Sequence, residues 1–214
     1  MTFGTQRFTW PKLGEAPEVA GVYAWYVRLQ LGEADLAAFE QAVEAAKREG
    51  KDPAPLINQM LGKHFFHPFQ ETAYTVRLSG ALKPRYAGEL AHEPTTSENL
   101  VARLSQSPER LRPIARVLNA AAPYFTAPLY IGMASNLRKR LGQHKERIIK
   151  LSDNPGQLNA GEQLSGFAQQ IVQRGFNPTQ LFVECLVVDD IANDEQVDLE
   201  NILNRINFPI FGRN

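Results

Sequence analysis

Arg140, His144 and Arg147 are spaced so that they could act together on a phosphate. Steps of four and three place them along one face of a helix. Leu137, Leu141 and Ile148 repeat on another face of the same segment, which gives that helix a side to bury. Just upstream, the run Pro128–Met133 reads as a short apolar strand carrying Tyr130. The end of that strand delivers a phenol beside the helix face that holds Arg140 and His144. Cationic groups aimed at one point are what a phosphodiester requires as anionic charge grows during displacement.

The elements that must position these groups follow from pattern. Gly132 ends the strand and Ser135 stands where a helix N-cap belongs, so a helix is predicted from there to about Leu151. Residues 1–20, with Pro11, Gly14 and Pro17, read as an irregular lead-in. Gly21–Leu29 is aromatic and β-branched and reads as a strand, with Tyr23, Trp25 and Val27 on one face. Glu33–Glu49 reads as a helix with a stripe of Leu36, Phe39, Val43 and Ala46. Residues 51–70 hold three prolines and HFFHPF and read as irregular. A strand over Ala73–Leu78 is expected to pair with Lys83–Gly88. Thr95 with Glu98 fits a capping box, and Ser107-Pro108 opens a further helix ending before Pro123. A helix around Phe167 and Ile171 stops at Gly175. Gln180–Val188 reads as a central strand, and a last helix runs from Asn193 through Ile206 to Pro209.

The expected class is therefore α/β (α+β): a small sheet flanked by helices. The chain of 214 residues reads as a single domain, 1–214, with a large, mainly helical insertion over 30–127.

Composition bounds the partners. Lys plus Arg is 23 and Asp plus Glu is 23, so any nucleic-acid binding must come from a local patch. The lone Cys185 excludes an internal disulfide and a cysteine-rich zinc site. No run approaches a membrane span, and the N-terminus lacks the apolar core of a signal peptide. A soluble, cytoplasmic protein with no membrane partner is expected. His64 and His67 form the other close histidine pair; with no cysteine or clear carboxylate beside them, they read as packing or surface residues.

Gly21-Val22-Tyr23 and Tyr130-Ile131-Gly132 together resemble the GIY-YIG nuclease family. In that family two such tripeptides lie on adjacent strands. An arginine follows ten positions after the second tyrosine, here Arg140, and a histidine or tyrosine at fourteen, here His144. A glutamate on a later helix, then a proline and an asparagine, match Glu200, Pro209 and Asn214 in order. The resemblance covers 20–29 and 128–214. It departs from the family in two respects: the tripeptides are usually close together, whereas here residues 24–129 intervene between the tyrosines, and the matching asparagine, Asn214, is the last residue of the sequence, where fraying is expected. Some restriction enzymes of the family carry longer insertions.

The resemblance implies roles. Tyr23 would orient or deprotonate the attacking water, with Tyr130 beside it. A free tyrosine is a weak base at neutral pH, and Arg140 is expected to lower its pKa while contacting phosphate. His144 would bond the water or Tyr23, or act as the base itself. Glu200 would hold Mg²⁺ or Mn²⁺, as a carboxylate with several waters usually does beside a phosphate. Asn214 would hold the phosphate or the loop near Glu200. Each residue also has a plainer reading: strand tyrosines packed in a core, a surface histidine, a solvated glutamate, a frayed terminus.

Lys139, Lys145 and Arg147 read as a phosphate-facing patch, although a solvated helix face has the same pattern. Arg77, Arg85 and Arg112 are the insertion's candidates for substrate contacts, or else solvated charges. The expected function is a Mg²⁺-dependent endonuclease acting on nucleic acid, foremost double-stranded DNA, in restriction or phage defence. Cutting both strands with one small site suggests a homodimer. The alternative is a non-cleaving nucleic-acid-binding or assembly module on the same fold, which the zero net charge favours.

Overall fold

The computed structural model describes residues 4–29, 31–71, 73–78, 80, 85–154, 166–188 and 193–212. It is a mixed α/β protein with an antiparallel sheet and helices. The chain divides into two compact units, Met1–Gln30 with Ala115–Asn214, and Leu31–Ile114.

The first unit is built on a four-stranded sheet. Its strands are β1 (Thr5–Thr9), β2 (Gly21–Val27), β5 (Tyr130–Ala134) and β6 (Leu181–Val187), in the order β1-β6-β2-β5. All three pairings are antiparallel. β2 alternates as its sequence does: Tyr23, Trp25 and Val27 are buried, while Val22, Ala24 and Tyr26 are half-buried. β6 sits between two neighbours, which accounts for apolar residues on both its faces.

Helix α5 (Leu137–Asp153) buries Leu137, Leu141, Ile148 and Leu151, and α6 (Phe167–Gln173) buries Phe167, Ala168 and Ile171. Helix α7 (Asn193–Asn207) packs on the edge strand β5. After it, Ile210 and Phe211 N–H donate to the carbonyls of Pro128 and Leu129 and tie the tail beside β5.

Several expectations are corrected. The lead-in is ordered: β1 pairs with β6 through Thr5–Thr9, and Trp10–Glu15 forms a 3₁₀ turn. The breakers begin only at Pro11, leaving the stretch before them free to pair. Helix α5 is capped by Asn136 and not by Ser135: its side-chain oxygen accepts from the N–H of Lys139 at 2.9 Å. Helix α4 (Leu111–Phe125) runs through Pro123. A proline in the last turn forfeits only one hydrogen bond, and Thr126 N–H still reaches the carbonyl of Ala122.

The second unit holds α1 (Glu33–Arg48), α2 (Ala54–Leu61), the hairpin β3 (Tyr74–Leu78) with β4 (Tyr86–Leu90), and α3 (Glu98–Gln106). The α1 stripe of Leu36, Phe39, Val43 and Ala46 is buried. Within 51–70, expected to be irregular, residues 54–69 are helical. Pro53 and Pro55 fall at the start of α2, where a missing N–H costs nothing, and Pro68 opens a later 3₁₀ turn. Ile57, Leu61 and Phe65, spaced by four, supply the buried side. The capping box from Thr95 does not form: α3 begins at Glu98, with Ser97 as N-cap and no side-chain bond.

Candidate active site

The sheet register brings the two tyrosines together. Tyr23 in β2 pairs with Gly132 in β5, and Trp25 pairs with Tyr130, so Tyr23 and Tyr130 share one face with ring centres 6.2 Å apart. The glycine is required sterically. A Cβ on Gly132 would lie 2.5 Å from Tyr23 Oη and 2.9 Å from the Tyr130 ring. The Tyr23 phenol therefore lies across a strand position where any side chain would displace it.

Helix α5 then places two groups against that phenol. Tyr23 Oη lies 2.9 Å from His144 Nε2, and Arg140 Nε–H donates to Tyr23 Oη at 3.3 Å. The guanidinium can only donate, so the phenol accepts from it and directs its own proton at His144 Nε2. That assigns His144 the tautomer protonated on Nδ1. Its ring packs within 5.3–6.1 Å of Tyr23, Trp25, Tyr130 and Phe167. Burial, then the nearby Arg140 and Arg147, lower its pKa from 6.5 to about 4, so it is neutral at physiological pH.

Tyr23 departs from expectation. It is 1% exposed, and burial raises its pKa, with Tyr130 adding to the rise. Arg140 opposes that shift without overcoming it. The resting phenol keeps its proton and hands it on only if His144 takes it. Arg140 is held charged by the bond to Tyr23 first and by Tyr130 as well.

Glu200 comes from the other side. On α7 it is half-buried, and its Oε2 accepts from the N–H of Met133 at 3.3 Å. Its charge reaches Tyr23, where it raises the phenol's pKa. Between α5 and α7 lies an open cleft of about 390 Å³ lined by Glu200, Arg140, Lys139, Gln143, Ser135 and Asn136, among others. The first-turn N–H groups of α5 do not serve this cleft. Leu137 and Arg138 donate to the carbonyls of Val19 and Pro17, and Lys139 to the Asn136 side chain. Positive charge in the cleft therefore comes from the Lys139 and Arg140 side chains.

One carboxylate on an open, wettable cleft suits Mg²⁺, which keeps several waters and takes further oxygens from a substrate phosphate. It does not suit a metal that needs a full set of protein ligands. Among the described residues no group of three His, Cys, Asp or Glu side chains converges.

The remaining candidates fall in different places. Lys139 lines the cleft. Arg147 is exposed, one turn beyond His144 on α5. Lys145 is engaged elsewhere: its ammonium donates to the Trp10 carbonyl at 3.3 Å and sits 5.6 Å over the Trp10 ring. In the second unit, Arg112 is held by the carboxylates of Glu33 and Glu40. Arg77 in β3 and Arg85 before β4 are exposed. Asn214 lies outside the described residues.

The sequence reasoning missed Gln143, Ser135 and Asn136 as cleft residues, and Trp25 and Phe167 as walls around His144. Gln143, three positions after Arg140, was within reach of the same helical-face argument. Comparison with protein-family models, with curated proteins and with solved structures returns no match.

Proposed function

We propose that the chain is a Mg²⁺-dependent endonuclease of the GIY-YIG type, hydrolysing phosphodiester bonds in double-stranded DNA. The observation that carries this reading is the chain of hydrogen bonds from Arg140 to Tyr23 to His144, opening on a cleft that also holds Glu200. A buried phenol between a guanidinium and a neutral imidazole is a proton relay. The Tyr23 oxygen takes a proton from the attacking water as its own proton passes to His144 Nε2. Water attacks phosphorus in line and the leaving oxygen departs opposite, with no covalent intermediate. Arg140, with Lys139 beside it, faces the charge that grows on the phosphate oxygens. Glu200 would hold Mg²⁺ with water and phosphate oxygens, and the ion would supply charge neutralisation at the phosphate and leaving oxygen. A role in restriction or phage defence accompanies this reading.

The test is supercoiled plasmid incubated with the purified protein, with and without Mg²⁺. Nicking or linearisation that needs the metal is expected. Glu200→Gln should fold and bind DNA yet cleave at no Mg²⁺ concentration, and Tyr23→Phe should lose cleavage with its fold intact. Metal-dependent cleavage by Glu200→Gln at the parent rate removes the metal assignment. Binding without cleavage by the parent protein favours the non-cleaving module, which the zero net charge also supports.

A further inference from the structure

Helix α7 uses one side on β5 and leaves the other bare. Ile202 and Ile206 on that outer side are 54% and 67% exposed, and Phe208 just beyond is 72% exposed. Phe208 has φ 45°, a left-handed conformation that bulky side chains rarely adopt. The end of α4 is equally bare, with Tyr124 76% and Phe125 85% exposed.

These two helix ends are tied together. Ile210 N–H donates to the Pro128 carbonyl at 3.0 Å. Phe125 is three residues from Pro128 and Phe208 two from Ile210, so both lie within about 10 Å of that bond. Both helix ends thus carry large apolar side chains open to water near that bond, the kind of exposure that marks an interaction surface.

We propose that this patch is the interface of a symmetric dimer, in which α7 packs antiparallel on α7 of a second copy with the two-fold axis near Ile202. Two features select a second copy. The first is area. Ile202, Ile206, Phe208, Tyr124 and Phe125 together offer roughly 600–700 Å², most of the ~800 Å² per partner of a stable interface. The second is charge. The outer side of α7 carries Asp198 toward its start and Arg205 toward its end, both exposed. Arg205 makes a long 3.5 Å contact to the Asn201 carbonyl of its own helix. An antiparallel mate brings Asp198 of each copy to Arg205 of the other, so the face is complementary to itself. The same operation sets Phe208 of each copy against the start of α7 in the other.

The proposal is independent of the nuclease reading, because self-association is measured without DNA or Mg²⁺. Sedimentation equilibrium across the micromolar range should give twice the 23.9 kDa chain mass. Phe125→Glu and Ile202→Glu should give the single-chain mass with an unchanged circular dichroism spectrum. Phe208→Gly separates an interface role from a folding role, since glycine suits the left-handed backbone. Its melting temperature at high dilution should not fall, while its dimer dissociation constant should rise by about tenfold or more. Asp198→Arg should weaken the dimer, and Asp198→Arg combined with Arg205→Asp should restore it. A wild-type protein that stays monomeric throughout, glutamate variants that dimerise as before, or a charge swap that fails to rescue would each overturn the proposal. The first would assign the patch to a different molecule.

Discussion

His144 is the residue whose environment has the clearest measurable consequence. When unfolded, it protonates near 6.5; when folded, only near 4, because burial and two arginines disfavour the cation. Between those values the unfolded chain binds more protons than the folded one. Stability is therefore fully present above pH 6.5 and lost as the pH falls towards 4. The loss from this group approaches about 2 kcal/mol near pH 5. Urea unfolding at neutral and mildly acid pH checks it. His144→Gln should lose stability over that window less steeply than the parent; equal slopes would mean that His144 takes up a proton in the fold. The same neutrality makes His144 a proton acceptor for Tyr23 across the physiological range.

At the scale of elements, two strands meet with glycines at their critical positions, and the two glycines should fail differently. A Cβ on Gly132 meets the tip of the Tyr23 ring, a side chain that can be displaced only by breaking its bond to His144. Gly132→Ala should fold with a loss of about 1–3 kcal/mol, the usual cost of overpacking, and should be inactive in the plasmid assay. A Cβ on Gly21 meets the Leu186 backbone carbonyl and the Leu137 side chain. The β2–β6 ladder cannot yield there without losing pairing, so Gly21→Ala should be the more destabilised of the two in thermal melts. The reverse order would mean that the Tyr23 ring is held more rigidly than the ladder. Arg112 shows the same dependence on packed elements in the second unit. Its bonds to Glu33 and Glu40 of α1 make it a tie between helix segments, and Arg112→Ala should lower the melting temperature.

At the scale of the whole molecule, the balance of 23 basic and 23 acidic residues leaves no general attraction for nucleic acid. Binding must come from cations not already held by the protein. Lys145 and Arg138 are engaged within the first unit, by Trp10 and by Glu18 with the Ala16 carbonyl. Arg112 is engaged within the second. Lys139 and Arg147 on α5, and Arg77 and Arg85 at the β3–β4 hairpin, remain the candidates. Replacing Arg77 and Arg85 together by alanine should weaken DNA binding and reduce the slope of log affinity against log salt by about one per lost phosphate contact. Titrations at several salt concentrations decide it. An unchanged slope would leave substrate contact to Lys139 and Arg147.

What the sequence determined by itself was whatever rests on local periodicity. The alternation of Gly21–Leu29, the four-and-three spacing of Arg140, His144 and Arg147, and the apolar stripe of α1 each follow from the geometry of a single strand or helix. Prolines were legible only in position: the same residue type starts α2 at Pro53 and Pro55 and is carried inside α4 at Pro123. Tertiary structure alone decided that β1 joins the sheet, since pairing with β6 connects residues 5–9 to 182–186. It alone decided the state of the site. The composition of the motif suggested an arginine lowering a tyrosine's pKa; burial of Tyr23 and the neutral imidazole of His144 decided that the phenol keeps its proton. Desolvation depends on everything packed around a group, including Trp25 and Phe167, and no spacing along the chain records it.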